Sequence, residues 1–150
     1  MYGHILVALE HSEADLTILA HVTRLARLTG ATLLLVHVAD GWAARNFDKL
    51  KLRESEEMRD DRAYLDRTAE ALRFDGVTVH TRLAMGDPAE QLIKVAAEEA
   101  VDLIAMATHG HRFIKDLALG STVSRVRHEV SIPVLLLKAD QQLAAAPKQD

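Results

Sequence analysis

The chain is most informative at residues 101–122, which read Val101-Asp102-Leu103-Ile104-Ala105-Met106-Ala107-Thr108-His109-Gly110, then nine residues from His111 to Leu119, then Gly120-Ser121-Thr122. The apolar first part predicts a buried strand that ends at Met106, and a helix is expected to begin at Ser121. The residues that leave the strand and open the helix are small or carry hydroxyls, so backbone N–H groups can approach an anion closely. A helix start at Ser121 would add unpaired N–H groups and the positive end of the helix dipole. The pattern therefore predicts an anion-binding loop between a strand and a helix.

The apolar runs elsewhere predict four more strands, and the segments between them have the spacing of helices. The strands are expected at His4–Leu9, Thr32–Val38, 77–83 and Val134–Lys138. The helices are expected at about 12–30, 48–74, 88–100 and 121–129. Strands that alternate with helices through right-handed crossovers predict an α/β fold, a single three-layer domain with a five-stranded parallel sheet and helices on both faces. Residues 1–140 are expected to form this domain, and 141–150 a disordered tail.

The composition is that of an ordinary globular protein, with 49% hydrophobic and 27% charged residues. A formal net charge of -4 and the lack of a contiguous basic face argue against nucleic acid or an anionic membrane as a partner. The chain has no cysteine, which excludes disulfides, thiolate catalysis and thiolate metal sites. The N-terminus lacks the pattern of a signal peptide and no apolar run reaches about 18 residues, so a cytoplasmic location is expected.

The predicted fold places the anion-binding loop where a ligand is expected. Ligands of open parallel sheets bind beyond the carboxyl ends of the strands, at the point where the strand order reverses. If the first strand is central, that point lies between the first and fourth strands, and the loops leaving them are Glu10-His11-Ser12 and Ala107 to Leu119. The motifs G-x-x-x-x-G-K-[ST], G-x-G-x-x-G after the first strand, and G-x-S-x-G are absent. The sequence thus supports neither a P-loop NTPase nor a dinucleotide oxidoreductase nor a hydrolase with a nucleophile elbow.

The spacing Ala107-x-x-Gly110, nine residues, then Gly120-Ser121 resembles a motif of the universal stress protein family. Nucleotide-binding members of that family carry G-x-x-G, nine residues and G-[ST] between the fourth strand and the fourth helix. The resemblance extends to about Lys138, and further matches are Glu10 with Ser12-Glu13, His37-Val38, Gly86-Asp87-Pro88 and Ile132-Pro133-Val134-Leu135. It implies an adenine nucleotide alpha hydrolase-like fold with strand order 3-2-1-4-5.

The resemblance also implies an adenine nucleotide site. In the ATP-binding members, the residues that surround adenine and ribose match Ala8, Leu9, Glu10 and Val38. The residues that hold ribose and phosphates match Met106, Ala107, His109, Gly110, Gly120, Ser121, Thr122 and Val123. The implied ligand is ATP or another adenine nucleotide, with or without Mg²⁺.

Two positions depart from the family pattern. Ala107 replaces the first glycine of the motif, and Glu10 stands where the acidic residue is usually Asp. A left-handed backbone at Ala107 would require glycine, whereas an ordinary strand-end conformation tolerates alanine. Glu10 carries its carboxylate about one methylene further from the backbone than Asp would. The phosphate cradle proper is assigned to Gly110, Gly120, Ser121 and Thr122.

The remaining histidines and charges are assigned to structure or to solvent. His109 and His111 could touch phosphate or, with Glu10 and His11, hold a metal. Loop histidines are expected to be solvated, so no metal site is predicted. The run from Glu54 to Asp61 is interpreted as a solvated helix face. His37 is expected to pack at a strand end, and surface positions are expected for His21, His80 and His128. Gly86-Asp87-Pro88 is interpreted as a turn, a helix cap and a helix-opening proline.

The last strand, Val134 to Lys138, is apolar and lies at a sheet edge in the family topology, where bare backbone groups favour aggregation. Pairing with a second copy removes that hazard, so a two-fold homodimer through this strand is expected. Three functions then stay open. The first is a cytoplasmic ATP-binding regulatory dimer without efficient catalysis. The second is a slow Mg²⁺-dependent nucleotide hydrolase in which Glu10 or His109 orients water, and the third is a dimeric interaction module with an empty pocket.

Overall fold

Five strands and four helices alternate along the part of the chain that the computed structural model describes, residues 1–39, 56–108 and 117–139. In chain order they are β1 (His4–Leu9), α1 (Ala14–Thr29), β2 (Thr32–Ala39), α2 (Glu56–Phe74), β3 (Val79–Met85), α3 (Pro88–Glu98), β4 (Leu103–Thr108), α4 (Leu117–Glu129) and β5 (Val134–Lys138). The strands form one parallel sheet in the order β3-β2-β1-β4-β5. The predicted α/β fold and strand order are confirmed.

The central strand β1 is buried because its apolar side chains alternate between the two faces of the sheet. Ile5 and Val7 belong to a cluster with Ile18, Val22, Leu65 and Ala69, which come from α1 and α2. Leu6 belongs to a second cluster, with Leu92, Val95 and Val126 from α3 and α4. Burying an aliphatic side chain of this size stabilises the fold by roughly 1.5–3 kcal/mol. The sheet is therefore covered by α1 and α2 on one face and by α3 and α4 on the other.

Local sequence signals fix several helix ends. Gly30 follows α1 in the left-handed conformation with φ 74°, and its N–H donates to the carbonyl of Ala26. Asp87 precedes α3 and its carboxylate accepts a hydrogen bond from the N–H of Glu90 at 2.9 Å, with Pro88 in the first turn. The predicted helix end at Gly30 and the predicted cap at Asp87 are confirmed.

Two predicted boundaries next to the anion-binding loop are wrong. β4 does not end at Met106, because its pairing with β5 continues through Ala107 and Thr108, opposite Leu137 and Lys138. α4 begins at Leu117 and not at Ser121. The segment Leu-Ala-Leu at 117–119 has high helix propensity and extends the helix one turn earlier than the Gly-Ser-Thr signal indicated. Since only the first turn of a helix has unpaired N–H groups, those donors lie around residues 117–119 and not at Ser121.

The other boundaries agree to within a few residues, and β3 lies two residues later than the predicted 77–83. The predicted helix start near Asp48 and the tail 141–150 lie outside the described residues. Among residues 1–39, 56–108 and 117–139, no helix combines the length and the apolar character that crossing a membrane requires. The cytoplasmic location and the division into a domain and a tail stay predictions.

Candidate functional site

The pairing of β1 with β4 stops before either strand ends, and we call the position beyond its last pair, Val7 and Ala105, the crevice. Their pairing runs from Ile5 opposite Leu103 to Val7 opposite Ala105 and stops there. The pairing of β1 with β2 continues to Leu9, and that of β4 with β5 continues to Thr108. The strand order reverses between these two strands, so the crevice lies where open parallel sheets bind ligands.

The residues predicted to contact adenine and ribose lie at or near the carboxyl ends of β1 and β2. Leu9 is buried, whereas Ala8 and Glu10 are half-buried at the end of β1. Val38 is half-buried near the end of β2, the neighbouring strand. The carboxyl ends of two adjacent strands thus bring these four residues to one edge of the sheet.

The predicted phosphate-side residues are divided between β4 and α4. Met106 and Ala107 are buried in β4, and Val123 packs against the cluster that contains Met106. In α4, Gly120 and Ser121 are exposed and Thr122 is buried. His109 and Gly110 lie outside the described residues, so the middle of the predicted loop stays a prediction.

The two small residues of the motif have different backbone environments. Ala107 lies inside β4, and it is not among the described residues with positive φ, so its methyl group causes no backbone strain. Gly120 lies inside α4, where an added Cβ would meet no described heavy atom within 4 Å. Glycine in a helix costs roughly 1 kcal/mol relative to alanine, and contacts among the described residues give no reason for it here.

Asp15 holds the turn that follows β1, residues 10–12, which we call the β1 turn. Its carboxylate accepts hydrogen bonds from the N–H of Glu10 at 2.9 Å and of His11 at 3.0 Å. Asp15 is 1% exposed, so these bonds are shielded from water. They support His11 in the left-handed conformation, φ 60°, which side-chain-bearing residues rarely adopt.

Helix α2 covers the β1 turn with polar side chains. The Tyr64 hydroxyl donates to Oδ2 of Asp15 at 2.6 Å, and the Tyr64 ring stacks on His11 with centroids 4.1 Å apart. Burial, reinforced by the negative charge of Asp15, raises the pKa of the Tyr64 hydroxyl far above its ordinary value. Tyr64 therefore acts as a hydrogen-bond donor throughout the neutral pH range.

Asp61 of α2 bridges two histidines. Its Oδ1 lies 2.7 Å from Nδ1 of His11, and its Oδ2 lies 3.3 Å from Nε2 of His37. The other ring nitrogen of His37, Nδ1, lies 2.8 Å from the carbonyl oxygen of Leu9. His37 is thus packed at a strand end, as predicted, and α2 is connected to the end of β1.

The interpretation of Glu54 to Asp61 as a solvated face is wrong for two residues. Glu56, Glu57, Arg59 and Asp60 are exposed, but Met58 and Asp61 are buried. The stripe of buried residues in α2 contains Met58, Asp61, Leu65, Ala69 and Leu72, which recur every three or four positions. Since Asp61 lies three residues after Met58 and four before Leu65, this spacing was the available signal for its burial.

The described residues do not assemble a metal site from three or more His, Cys, Asp or Glu side chains. His11 directs Nδ1 to Asp61, while His109 and His111 lie outside the described ranges. The histidines predicted at the surface, His21, His80 and His128, are exposed.

The sequence matches the universal stress protein family over residues 1–138. The chain belongs to this family. A universal stress protein of Thermus aquaticus, encoded in the QAH/OAS sulfhydrylase 3' region, is 33% identical over 146 residues, covering 92% of this chain and 100% of the relative.

Solved structures of universal stress proteins share the fold. The structure of MJ0577, a universal stress protein of Methanocaldococcus jannaschii, matches with a TM-score of 0.73 and 27% identity, covering 93% of this chain and 98% of that one. A universal stress protein in complex with cAMP matches with a TM-score of 0.68 and 19% identity, covering 93% and 98%. One from Archaeoglobus fulgidus in complex with dAMP matches with a TM-score of 0.67 and 22% identity, covering 91% and 98%.

Proposed function

We propose that this universal stress protein binds an adenine nucleotide in the crevice between β1 and β4. The end of the pairing of these strands after Val7 and Ala105 carries the proposal, because it lies at the point of strand-order reversal. Two universal stress proteins of the same fold are in complex with cAMP and dAMP, which supports an adenine nucleotide as the ligand class.

Each side of the crevice has a role in this proposal. Ala8, Leu9 and Val38 offer apolar contacts to adenine, and the carboxylate of Glu10 can accept hydrogen bonds from ribose hydroxyls. On the other side, Met106, Ala107, His109, Gly110, Gly120, Ser121, Thr122 and Val123 surround ribose and phosphates. The unpaired N–H groups of the first turn of α4 favour the phosphate charge. The ligand is ATP or another adenine nucleotide, with or without Mg²⁺.

We assign the protein a regulatory role without efficient catalysis. The polar side chains at the β1 turn are engaged: His11 with Asp61, and Asp15 with Tyr64 and three backbone N–H groups. Glu10 accepts a hydrogen bond from the Ser12 hydroxyl at 3.1 Å. These contacts hold the turn in place and favour a binding function over general base catalysis.

Calorimetric titration with ATP, ADP, AMP and cAMP, each with and without Mg²⁺, tests the proposal. We expect saturable binding of at least one nucleotide at one site per chain. Absence of binding by all four would refute it. Metal-dependent turnover of ATP that Glu10→Gln abolishes would instead establish a hydrolase.

We further propose a homodimer through β5. Val134 to Leu137 are apolar and half-buried, and β5 is the last strand of the sheet, paired with β4 alone among the described strands. Pairing with a second copy would cover this edge. Light scattering at micromolar concentration should give the mass of two chains, and Leu136→Lys should shift it toward that of one. A monomeric native protein would contradict the proposal.

A further inference from the structure

The cluster formed by His11, Asp61 and His37 lies directly beside the proposed nucleotide crevice. Its members come from the β1 turn, α2 and β2, and one carboxylate contacts both rings. Side-chain exposure is 8% for Asp61 and 13% for His37, whereas His11 is 35% exposed. The cluster is thus shielded on the β2 side and reaches solvent through His11.

The contacts of His37 determine how many protons the cluster needs. The carbonyl of Leu9 accepts hydrogen bonds and donates none, so Nδ1 of His37 must carry a proton to bond it. The carboxylate of Asp61 is also an acceptor, so the contact with Nε2 is favourable only when a proton lies between the two groups. A neutral His37 with its proton on Nδ1 would instead direct a lone pair at a buried carboxylate.

The same contacts connect the proton to the β1 turn. His37 holds the carbonyl of Leu9, the last residue of β1, and Asp61 holds the ring of His11, whose backbone is in the left-handed conformation. Loss of the proton weakens the contact between His37 and Asp61 and thereby the attachment of α2 to this turn. The turn carries Glu10, which faces ribose in the proposed nucleotide site.

We propose that Asp61, with His11 and His37, forms a proton-dependent latch that positions the β1 turn for adenine nucleotide binding. Asp61 is a positioning residue, and the inference rests on the proposed function of the crevice. With the proton bound, Asp61 contacts both histidines, which is the closed latch, and the affinity for the nucleotide is high. As pH rises and the proton is lost, the latch opens and affinity falls.

The titratable groups that face the latch come from the β1 turn, α1 and α2. The Asp15 carboxylate of α1 bonds the N–H of His11, and Glu10 is adjacent in the turn. From α2, the Tyr64 ring stacks on His11 and its hydroxyl bonds Asp15, so the phenol is neutral where imidazole titrates.

The variant Asp61→Asn distinguishes the effect of the additional proton from the effect of the side-chain contacts. The asparagine carbonyl can accept from Nδ1 of His11, while its amide can donate to an unprotonated Nε2 of His37. The variant therefore keeps both contacts without the additional proton. Asp61→Ala removes both contacts at every pH, and His80→Gln, at an exposed histidine of β3, is the matched control.

Nucleotide affinity should be measured for the four proteins from about pH 5.5 to about pH 8.5. We expect the native chain and His80→Gln to lose about tenfold in affinity across this range beyond the change shown by Asp61→Asn. Asp61→Ala should bind weakly throughout. Ionisation of the nucleotide phosphate affects all four proteins equally, so the difference between variants isolates the latch. Equal pH profiles for the native chain and Asp61→Asn would overturn the proposal.

A second measurement needs neither nucleotide nor variant. In the native chain with ¹⁵N-labelled histidine and backbone, the ring nitrogens of His37 should titrate together with the amide signals of Glu10 and His11. Ring titration without movement of these amides would overturn the latch. Coupled titration in a chain that binds no adenine nucleotide would refute the proposed function and leave the latch supported.

Discussion

The two sides of the crevice are built by different means. On the β1 side, the β1 turn is held by polar side chains from α1, α2 and β2: Asp15 and Asp61, which are buried, and Tyr64 and His37, which are half-buried. On the β4 side, the described residues are small or apolar, and the groups that we propose to bind phosphate are backbone N–H groups at the start of α4. The first side should therefore be sensitive to lost hydrogen bonds, and the second to added volume.

The largest effect is expected from Asp15→Ala on the β1 side. This change removes the acceptor for three backbone N–H groups and for the Tyr64 hydroxyl, each of which is at least partly buried. We expect the free energy of unfolding to fall by about 3 kcal/mol, measured by urea denaturation. The exposed Asp66→Ala in α2 is the control, with a change below about 0.5 kcal/mol. Equal effects of the two substitutions would show that the β1 turn does not depend on Asp15.

Tyr64→Phe should have the next largest effect on the same side. It removes the hydrogen bond to Asp15 and keeps the ring that stacks on His11. We expect a loss of about 1.5 kcal/mol in unfolding free energy, because the bond goes to a charged acceptor. Tyr2→Phe, outside the turn, provides the matched comparison. An unchanged free energy of unfolding in Tyr64→Phe would mean that water replaces the hydroxyl at Asp15 without loss of stability.

Gly120→Ala tests the β4 side by adding a methyl group instead of removing a hydrogen bond. The methyl group meets no described atom, so the helix should gain about 0.5–1 kcal/mol in stability. If phosphates approach this position, nucleotide affinity should fall by about tenfold in a calorimetric titration. Ser124→Ala, at an exposed position further along α4, should leave affinity unchanged. Unchanged affinity in Gly120→Ala would exclude close ligand approach at this residue.

The smallest effect is expected from Ala107→Gly. Since Ala107 already has an ordinary strand conformation, glycine offers no relief of strain and should lower stability by about 0.5–1 kcal/mol. Nucleotide affinity should change by less than about threefold. A native chain that binds no nucleotide, together with an Ala107→Gly variant that does, would support the interaction module with an empty pocket.

The sequence predicts the strands of the sheet better than the polar network of the β1 side. Runs such as Ile5-Leu6-Val7 and breaks such as Gly30 are local signals, and they suffice for the strands and for several helix ends. The strand order followed from the resemblance to the family. The start of α4 was misplaced because Gly-Ser-Thr and Leu-Ala-Leu both favour a helix start, and pairing of β4 with β5 extends the strand beyond its apolar run.

The polar network of the β1 turn was not predicted because its partners are distant in the chain. Asp61 and His11 are 50 residues apart, and Tyr64 and Asp15 are 49 apart. The local pattern around Asp61 is dominated by exposed charges, which conceal one buried carboxylate among them. Only the packing of α2 on the sheet brings these groups together.

The left-handed backbone of His11 has an evolutionary consequence. That conformation costs a residue with a side chain about 1–2 kcal/mol, and here the stack on Tyr64 and the bond to Asp61 offset the cost. In a homologue that lacks Asp61, one of the contacts that offset the cost of the left-handed backbone of His11 is missing. Glycine or asparagine, which adopt this conformation more readily, is then favoured at that position. Positions 11 and 61 are therefore expected to covary, so that each constrains what the other can become.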